Sequence, residues 1–234
     1  MVPTVCAVLT FTSIRRETID RSSDEYHSPA AGSCATVGPM SVPKRKATYD
    51  DLLRVPDTMV AEIVDGELYT SPRPATPHAR AEVAVARALG PFDDDPSSSG
   101  AVGGWWILIE PELHLGEDVL VPDLAGWRRS RMPAIPNAAA IALAPDWVCE
   151  IVSPRTSRLD RAHKMPAYAR EGVEHLWLIE PLGRTLEVYR IEGGPWVLVE
   201  THADAARARV APFEALEVDL SRWWLEPAET SAAV

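Results

Sequence analysis

The rhythm of apolar and polar positions changes several times along this chain, and each rhythm predicts an element. Residues 1–44 mix Ser, Thr, Gly and Ala with neither helical nor strand periodicity. This stretch is expected to be a disordered extension or a mis-assigned start, because Met40 followed by Ser41-Val42-Pro43-Lys44-Arg45-Lys46 resembles an ordinary bacterial protein start. Regular patterning begins at Thr48, where Thr48-Tyr49-Asp50-Asp51-Leu52-Leu53 predicts a capped short helix. Residues 61–70 alternate about Asp65-Gly66, a strong two-residue hairpin signal. Pro72, Pro74 and Pro77 lead into a predicted helix from His78 to Leu89, with an apolar face of Val83, Val85, Ala86 and Leu89. Residues 93–104 have the composition of a loop.

Strand-like runs follow at 105–109, 112–115 and 119–127. A Pro/Arg-rich connection and an Ala-rich segment, read as a short helix, lead to another run at 146–152. A helix is predicted over Asp160–Glu171 with Gly172 as its C-cap. Residues 175–179, 185–191 and 196–200 read as a closing meander, and 216–225 ends in Trp223-Trp224, expected to dock on the core. Residues 227–234 are expected to form a flexible tail. This order predicts a mixed α/β or α+β domain over 45–226, with one central sheet.

Two carboxylates interrupt this pattern. Asp146-Trp147-Val148-Cys149-Glu150-Ile151-Val152-Ser153-Pro154 is a short apolar run bounded by prolines, the pattern of a strand buried on both faces. Glu150 sits inside it, and an ionised carboxylate there is costly unless a cation or strong donor meets it. Asp123 follows Pro122 at the break of the run Val119-Leu120-Val121, where a proline marks an edge or strand end. Carboxylates on neighbouring strands chelate Mg²⁺ or Mn²⁺, which favour oxygen ligands. Asp160, Lys164 and Tyr168 share one face by helical spacing, so Lys164 can bring positive charge toward both acids. The constellation fits metal-assisted phosphodiester hydrolysis.

Each residue also has a plainer reading. Asp123 is a common turn residue after proline, and Asp160 with Lys164 a surface ion pair. Glu62 and Glu67 flank a hairpin turn and are expected to be solvated. His78 simply begins a helix, Cys149 is a small buried residue, and Asp146, a rival to Asp123, simply starts a strand. Pro166 either lies in a first helical turn or kinks the helix.

Composition narrows the classes. Three cysteines without a Cys-x-x-Cys pair argue against a disulfide scaffold or zinc ribbon and fit a reducing cytoplasm. No apolar run is long enough for a membrane helix. The charges of 1–44 balance, so the whole net charge of −11 belongs to residues 45–234. That balance disfavours broad attraction to nucleic acid but counts metal carboxylates as uncompensated.

Several blocks together resemble a family. Glu62-Ile63-Val64-Asp65-Gly66-Glu67-Leu68, Ser71-Pro72 with His78, Val121-Pro122-Asp123, residues 144–154, and Asp160, Lys164 and Tyr168 followed by Gly172-Val173-Glu174-His175 are similar to the Uma-two family. These are bacterial proteins named as restriction endonucleases, within the PD-(D/E)XK nuclease superfamily. The match runs from about Tyr49 to Leu225. It implies a restriction-endonuclease-like core, a central mixed sheet flanked by helices, with an N-terminal hairpin and a C-terminal meander. It implies Asp123 and Glu150 as metal carboxylates for Mg²⁺ or Mn²⁺, and DNA as substrate. The lysine usual two residues after the second acid is replaced by Val152, whose backbone carbonyl remains available to the metal. The resemblance puts the lysine in the next helix, as Lys164. Glu62, His78, Asp160 and Tyr168 match recurring positions as auxiliary residues. A homodimer would suit an enzyme cutting both strands. The alternative function is a nuclease-fold binding or assembly module, motivated by the acidic charge and by Trp196, Trp223 and Trp224.

Overall fold

The computed structural model describes residues 45–93, 97 and 102–226. The expectations for 1–44, for 227–234 and for most of the 93–104 loop fall outside the described residues.

The first helix, α1 (Tyr49–Leu52), is capped by Thr48 and Asp51, which bond each other's backbone N–H reciprocally. Strands β1 (Met59–Val64) and β2 (Glu67–Pro72) form the expected hairpin. Asp65 and Gly66 at its tip have φ of 52° and 76°, the left-handed pair that a tight hairpin turn requires. Helix α2 (Thr76–Asp93) is longer than predicted at both ends. Pro77 is tolerated because the first-turn N–H groups of a helix have no intrahelical partner. Its buried face is Ala81, Ala84, Val85, Leu89 and Phe92, while Val83 is exposed. The predicted face was rotated because it weighted valine over the alanines that let the helix approach the sheet.

Next come β3 (Trp105–Ile109), β4 (Leu113–Leu115), β5 (Asp118–Leu120), β6 (Leu124–Arg128) and β7 (Trp147–Ile151). The predicted strand 119–127 is two strands in different sheets: β5 joins the order β2-β1-β5-β4, and β6 lies between β3 and β7 in a six-stranded sheet. Pro122 has no N–H for a ladder, so the chain changes sheets there and Asp123 lands at the switch. The Ala-rich segment before β7 is not a helix; Ile141 makes one bridge to Leu113. Pro136 and Pro145 bracket a stretch too short to repay helix nucleation.

A helical segment links β7 to β8: α3 (Ser157–Leu159), a π turn (Asp160–Lys164) and α4 (Met165–Arg170). It is the crossover that lets β7 and β8 (His175–Glu180) run parallel, while the other pairs of the six-stranded sheet are antiparallel. Strands β9 (Thr185–Ile191) and β10 (Trp196–Ala203) complete the meander. A ribbon of β11 (Arg207–Ala208) and β12 (Val218–Asp219) and a 3-10 turn, Leu220–Arg222, follow.

Both faces of the six-stranded sheet are covered, which is why β7 reads as continuously apolar. Trp147, Cys149 and Ile151 face α2, Phe213, Trp223 and Trp224. Val148 and Val152 face Tyr168, Ala167 and Leu120 on the other side. Trp223 and Trp224 are therefore core, and Trp196 is half-buried with its indole N–H on the Met165 carbonyl. These tryptophans do not form the exposed surface that motivated a binding module. Among the described residues no helix is long and apolar enough to cross a membrane.

Candidate active site

By strand alternation Glu150 points to the same face as Val148 and Val152, toward α4. It is only 3% exposed. The Tyr168 hydroxyl donates to Glu150 Oε1 at 2.6 Å, and Lys164 Nζ donates to the same oxygen at 2.8 Å. Neither bond engages Oε2. Burial pushes the Glu150 carboxyl well above the ordinary range, against the pull of the Lys164 ammonium; Asp160, Asp123 and Glu62 add to the rise.

Lys164 is equally buried, and its position depends on the π turn. In a regular α-helix the ring of Pro166 would crowd the carbonyl four residues back, and its nitrogen could not bond it. The chain widens by one residue just before Pro166, and the Met165 N–H bonds the Asp160 carbonyl five residues back. Pro166 thus lies in the first turn of α4. Lys164 Nζ meets three acceptors: Glu150, Glu62 Oε1 at 2.9 Å and the Val121 carbonyl at 3.2 Å. An ammonium has three protons, so all its donors are used. Burial lowers the lysine pKa, but Glu150 and Glu62 outweigh burial and hold it well above the ordinary value.

Glu62 is buried in β1 rather than solvated, which corrects the expectation from the hairpin. Its Oε1 also accepts the Val121 N–H at 2.8 Å. Glu62 and Lys164 thus occupy both backbone groups of the residue ahead of Pro122-Asp123. The signal was present: Glu62 interrupts Val60-Ala61-Ile63-Val64 as Glu150 interrupts its own strand.

Asp123 reaches β7 as well. Its Oδ2 accepts the Ile151 N–H at 2.5 Å, from the residue next to Glu150, and its Oδ1 meets His78 Nε2 at 2.7 Å. His78, in the first turns of α2, is pulled down by burial, but its bond to Asp123 and the charges of Asp123, Glu82 and Asp160 give a net rise. Asp160 is pushed up to about 6, chiefly by burial, with Lys164 and Thr156 opposing. Glu82, one turn beyond His78 and not singled out from sequence, is pushed up to about 7 by burial, then by Asp123 and Glu110.

Glu62, His78, Asp123, Glu150, Asp160 and Lys164 line one cavity of about 470 Å³. Tyr168 supports it from behind through Glu150. Val152 has its side chain in the core, and its neighbours Ile151 and Ser153 form the cavity wall instead. The Val121 carbonyl and the Ile151 N–H left no sequence signal, because backbone groups carry none.

Among the described residues no three His, Cys, Asp or Glu side chains form a ready metal nest. Four carboxylates around one ammonium do leave excess negative charge in a confined space; at Glu150 and Asp160 burial raises the pKa first, and the neighbouring carboxylates add to the rise. Mg²⁺ needs only one or two carboxylates and keeps waters in its other positions. Asp123 and Glu150 fit that donor set.

The family model described as "Putative restriction endonuclease", Uma2, matches residues 47–221. No curated protein matches the chain. A crystal structure of a protein from Anabaena variabilis, described as a putative nuclease belonging to DUF820, shares the fold with a TM-score of 0.59 and 24% identity, over 76% of this chain and 97% of that one. The likeness agrees with the mixed sheet and flanking helices described above. Since the family match spans most of the chain and takes in every cavity residue named here, this protein belongs to the Uma2 family.

Proposed function

We propose that this protein is a metal-dependent endonuclease that hydrolyses DNA phosphodiester bonds. The observation that carries the reading is the buried Glu150, which shares a cavity with Asp123 and is bonded to Lys164. A buried carboxylate–ammonium cluster of this kind gives no clear gain in stability over apolar packing, so its presence calls for a chemical reason.

Asp123 and Glu150 would hold Mg²⁺ or Mn²⁺, with the Val152 carbonyl as a further candidate donor. Bound there, the ion would acidify a water and offset charge on the phosphate. The protein's part is preorganisation. His78 and the Ile151 N–H fix the two oxygens of Asp123. Tyr168 and Lys164 fix Glu150 through one oxygen and leave the other to the ligand. Lys164 supplies fixed positive charge beside the reacting phosphate. Its longest contact, to the Val121 carbonyl, is the one it would exchange to reach a water or phosphate oxygen.

The test is plasmid nicking with Mg²⁺ or Mn²⁺. The wild type should nick and Glu150→Ala should not. A wild type inert on every nucleic acid tested, with no metal bound by calorimetry, sinks the proposal.

A further inference from the structure

The reacting groups lie at the floor of the cavity, and its exposed lining carries two arginines beside one acid, Glu110. Glu150, Asp160 and Lys164 are each 3% exposed. Arg73, after β2, and Arg155, after β7, also line the cavity and are exposed, from separate segments of the chain. Among the described residues Arg73 has a long contact to Glu110 at 3.9 Å and a bond to the Asp57 carbonyl. Among the described residues no hydrogen bond or ion pair engages Arg155. The remaining wall is largely apolar, with Val60, Pro72, Pro74, Ala75, Pro154 and Leu159.

Volume decides what can enter. A cavity of about 470 Å³ lies in the range that encloses one small organic molecule. A duplex is stiff on this scale and presents its phosphates along the outside of a continuous rail. It cannot carry one phosphate down to Glu150 without separating a nucleotide from the stack. An unpaired strand can. Its base would lie against the apolar wall, as extruded bases do in other enzymes, and its phosphates would pass the arginines.

We infer that the cavity admits one nucleotide of an unpaired strand, with Arg73 and Arg155 binding the phosphates that flank it. The preferred substrate is then single-stranded DNA, or a flap or bubble within a duplex, rather than a continuous duplex. The inference rests on the nuclease reading and narrows its substrate.

The test compares one labelled DNA sequence as a single strand, as a perfect duplex and as a duplex with an unpaired bubble, all with Mn²⁺. Bis(4-nitrophenyl) phosphate serves as a small substrate that needs no strand binding. Single strand and bubble should be cut about 100-fold faster than the duplex, the cost of extruding a base. Arg155→Ala should raise KM for the single strand about tenfold and flatten the salt dependence by about one phosphate contact. A duplex cut as fast as the single strand overturns the inference and leaves the nuclease reading standing. Hydrolysis of the small substrate with no DNA form cut overturns both the inference and the DNA-cleaving reading, and leaves only phosphodiester chemistry at the site. An unchanged salt slope in Arg155→Ala removes the arginine contact. Failure on every substrate, the small one included, removes the nuclease reading itself.

Discussion

Asp146 and Glu150 stand at opposite ends of one strand, equally buried at 3%, and do opposite things. Asp146 lies just before β7 and accepts the Arg128 N–H at 2.8 Å and Arg131 Nη1 at 2.9 Å. Its arginine partners reach solvent, and its bonds tie the start of β7 to the end of β6. It is a structural fastener. Glu150 meets a lysine and a tyrosine that are themselves buried, in a cavity lined by four more carboxylates, Glu62, Glu110, Asp123 and Asp160. Burial alone therefore does not make an acid a candidate site residue. What distinguishes the two is whether their charge is settled locally, as at Asp146, or left in excess, as around Glu150.

The comparison breaks most sharply under paired substitutions. Glu150→Gln keeps the shape and should lower DNA cleavage about 10³-fold, the loss of preorganised charge at the reacting centre. Asp146→Asn should leave cleavage per folded molecule within about twofold and lower stability by about 1–3 kcal/mol, as a buried bonded group is weakened. Steady-state rates and urea melts on the two variants measure both. Equal activity losses would erase the distinction.

Lys164→Met should cost about 3–5 kcal/mol of stability near neutral pH, because it strands Glu62 and Glu150 without a cation. Stranded acids have raised folded pKa values, so the loss should shrink as pH falls toward their unfolded values near 4. Adding Glu62→Gln should recover part of the stability and none of the cleavage. A loss independent of pH would mean that packing, not charge, is what Lys164 supplies.

Asp160 gives a smaller effect. Its folded pKa of about 6 lies above the unfolded value near 4. The folded state therefore binds the proton more tightly, and the contribution is complete below about pH 4 and lost as pH rises through about 6. In chelator-treated protein the stability should fall by up to about 3 kcal/mol across that window, and Asp160→Asn should flatten the fall. An unchanged slope in the variant would assign it elsewhere.

Much of this was legible in the chain. The hairpin at Asp65-Gly66, the strand carrying Glu150 and the closing meander follow from local pattern, because turn chemistry and period are local properties. The Pro122 switch between sheets was not, since a proline marks a break without saying where the chain goes next. The π turn is similar: Pro166 announced a disturbance, but its form depends on the sheet below. Asp123, Glu150 and Lys164 could be named from residue type, spacing and family resemblance. Glu62 was marked only by interrupting an apolar run; its burial follows from long-range contacts, the pairing of β5 beside β1 and the reach of Lys164, that local pattern does not carry.

The central claim is that Asp123 and Glu150 together hold a divalent ion. Calorimetric titration of Mn²⁺ into the wild type, Glu150→Gln and Asp146→Asn tests it directly. The predicted result is saturable binding in the wild type and in Asp146→Asn, and none in Glu150→Gln. Equal binding in Glu150→Gln and the wild type, or no binding in any of the three, would contradict it.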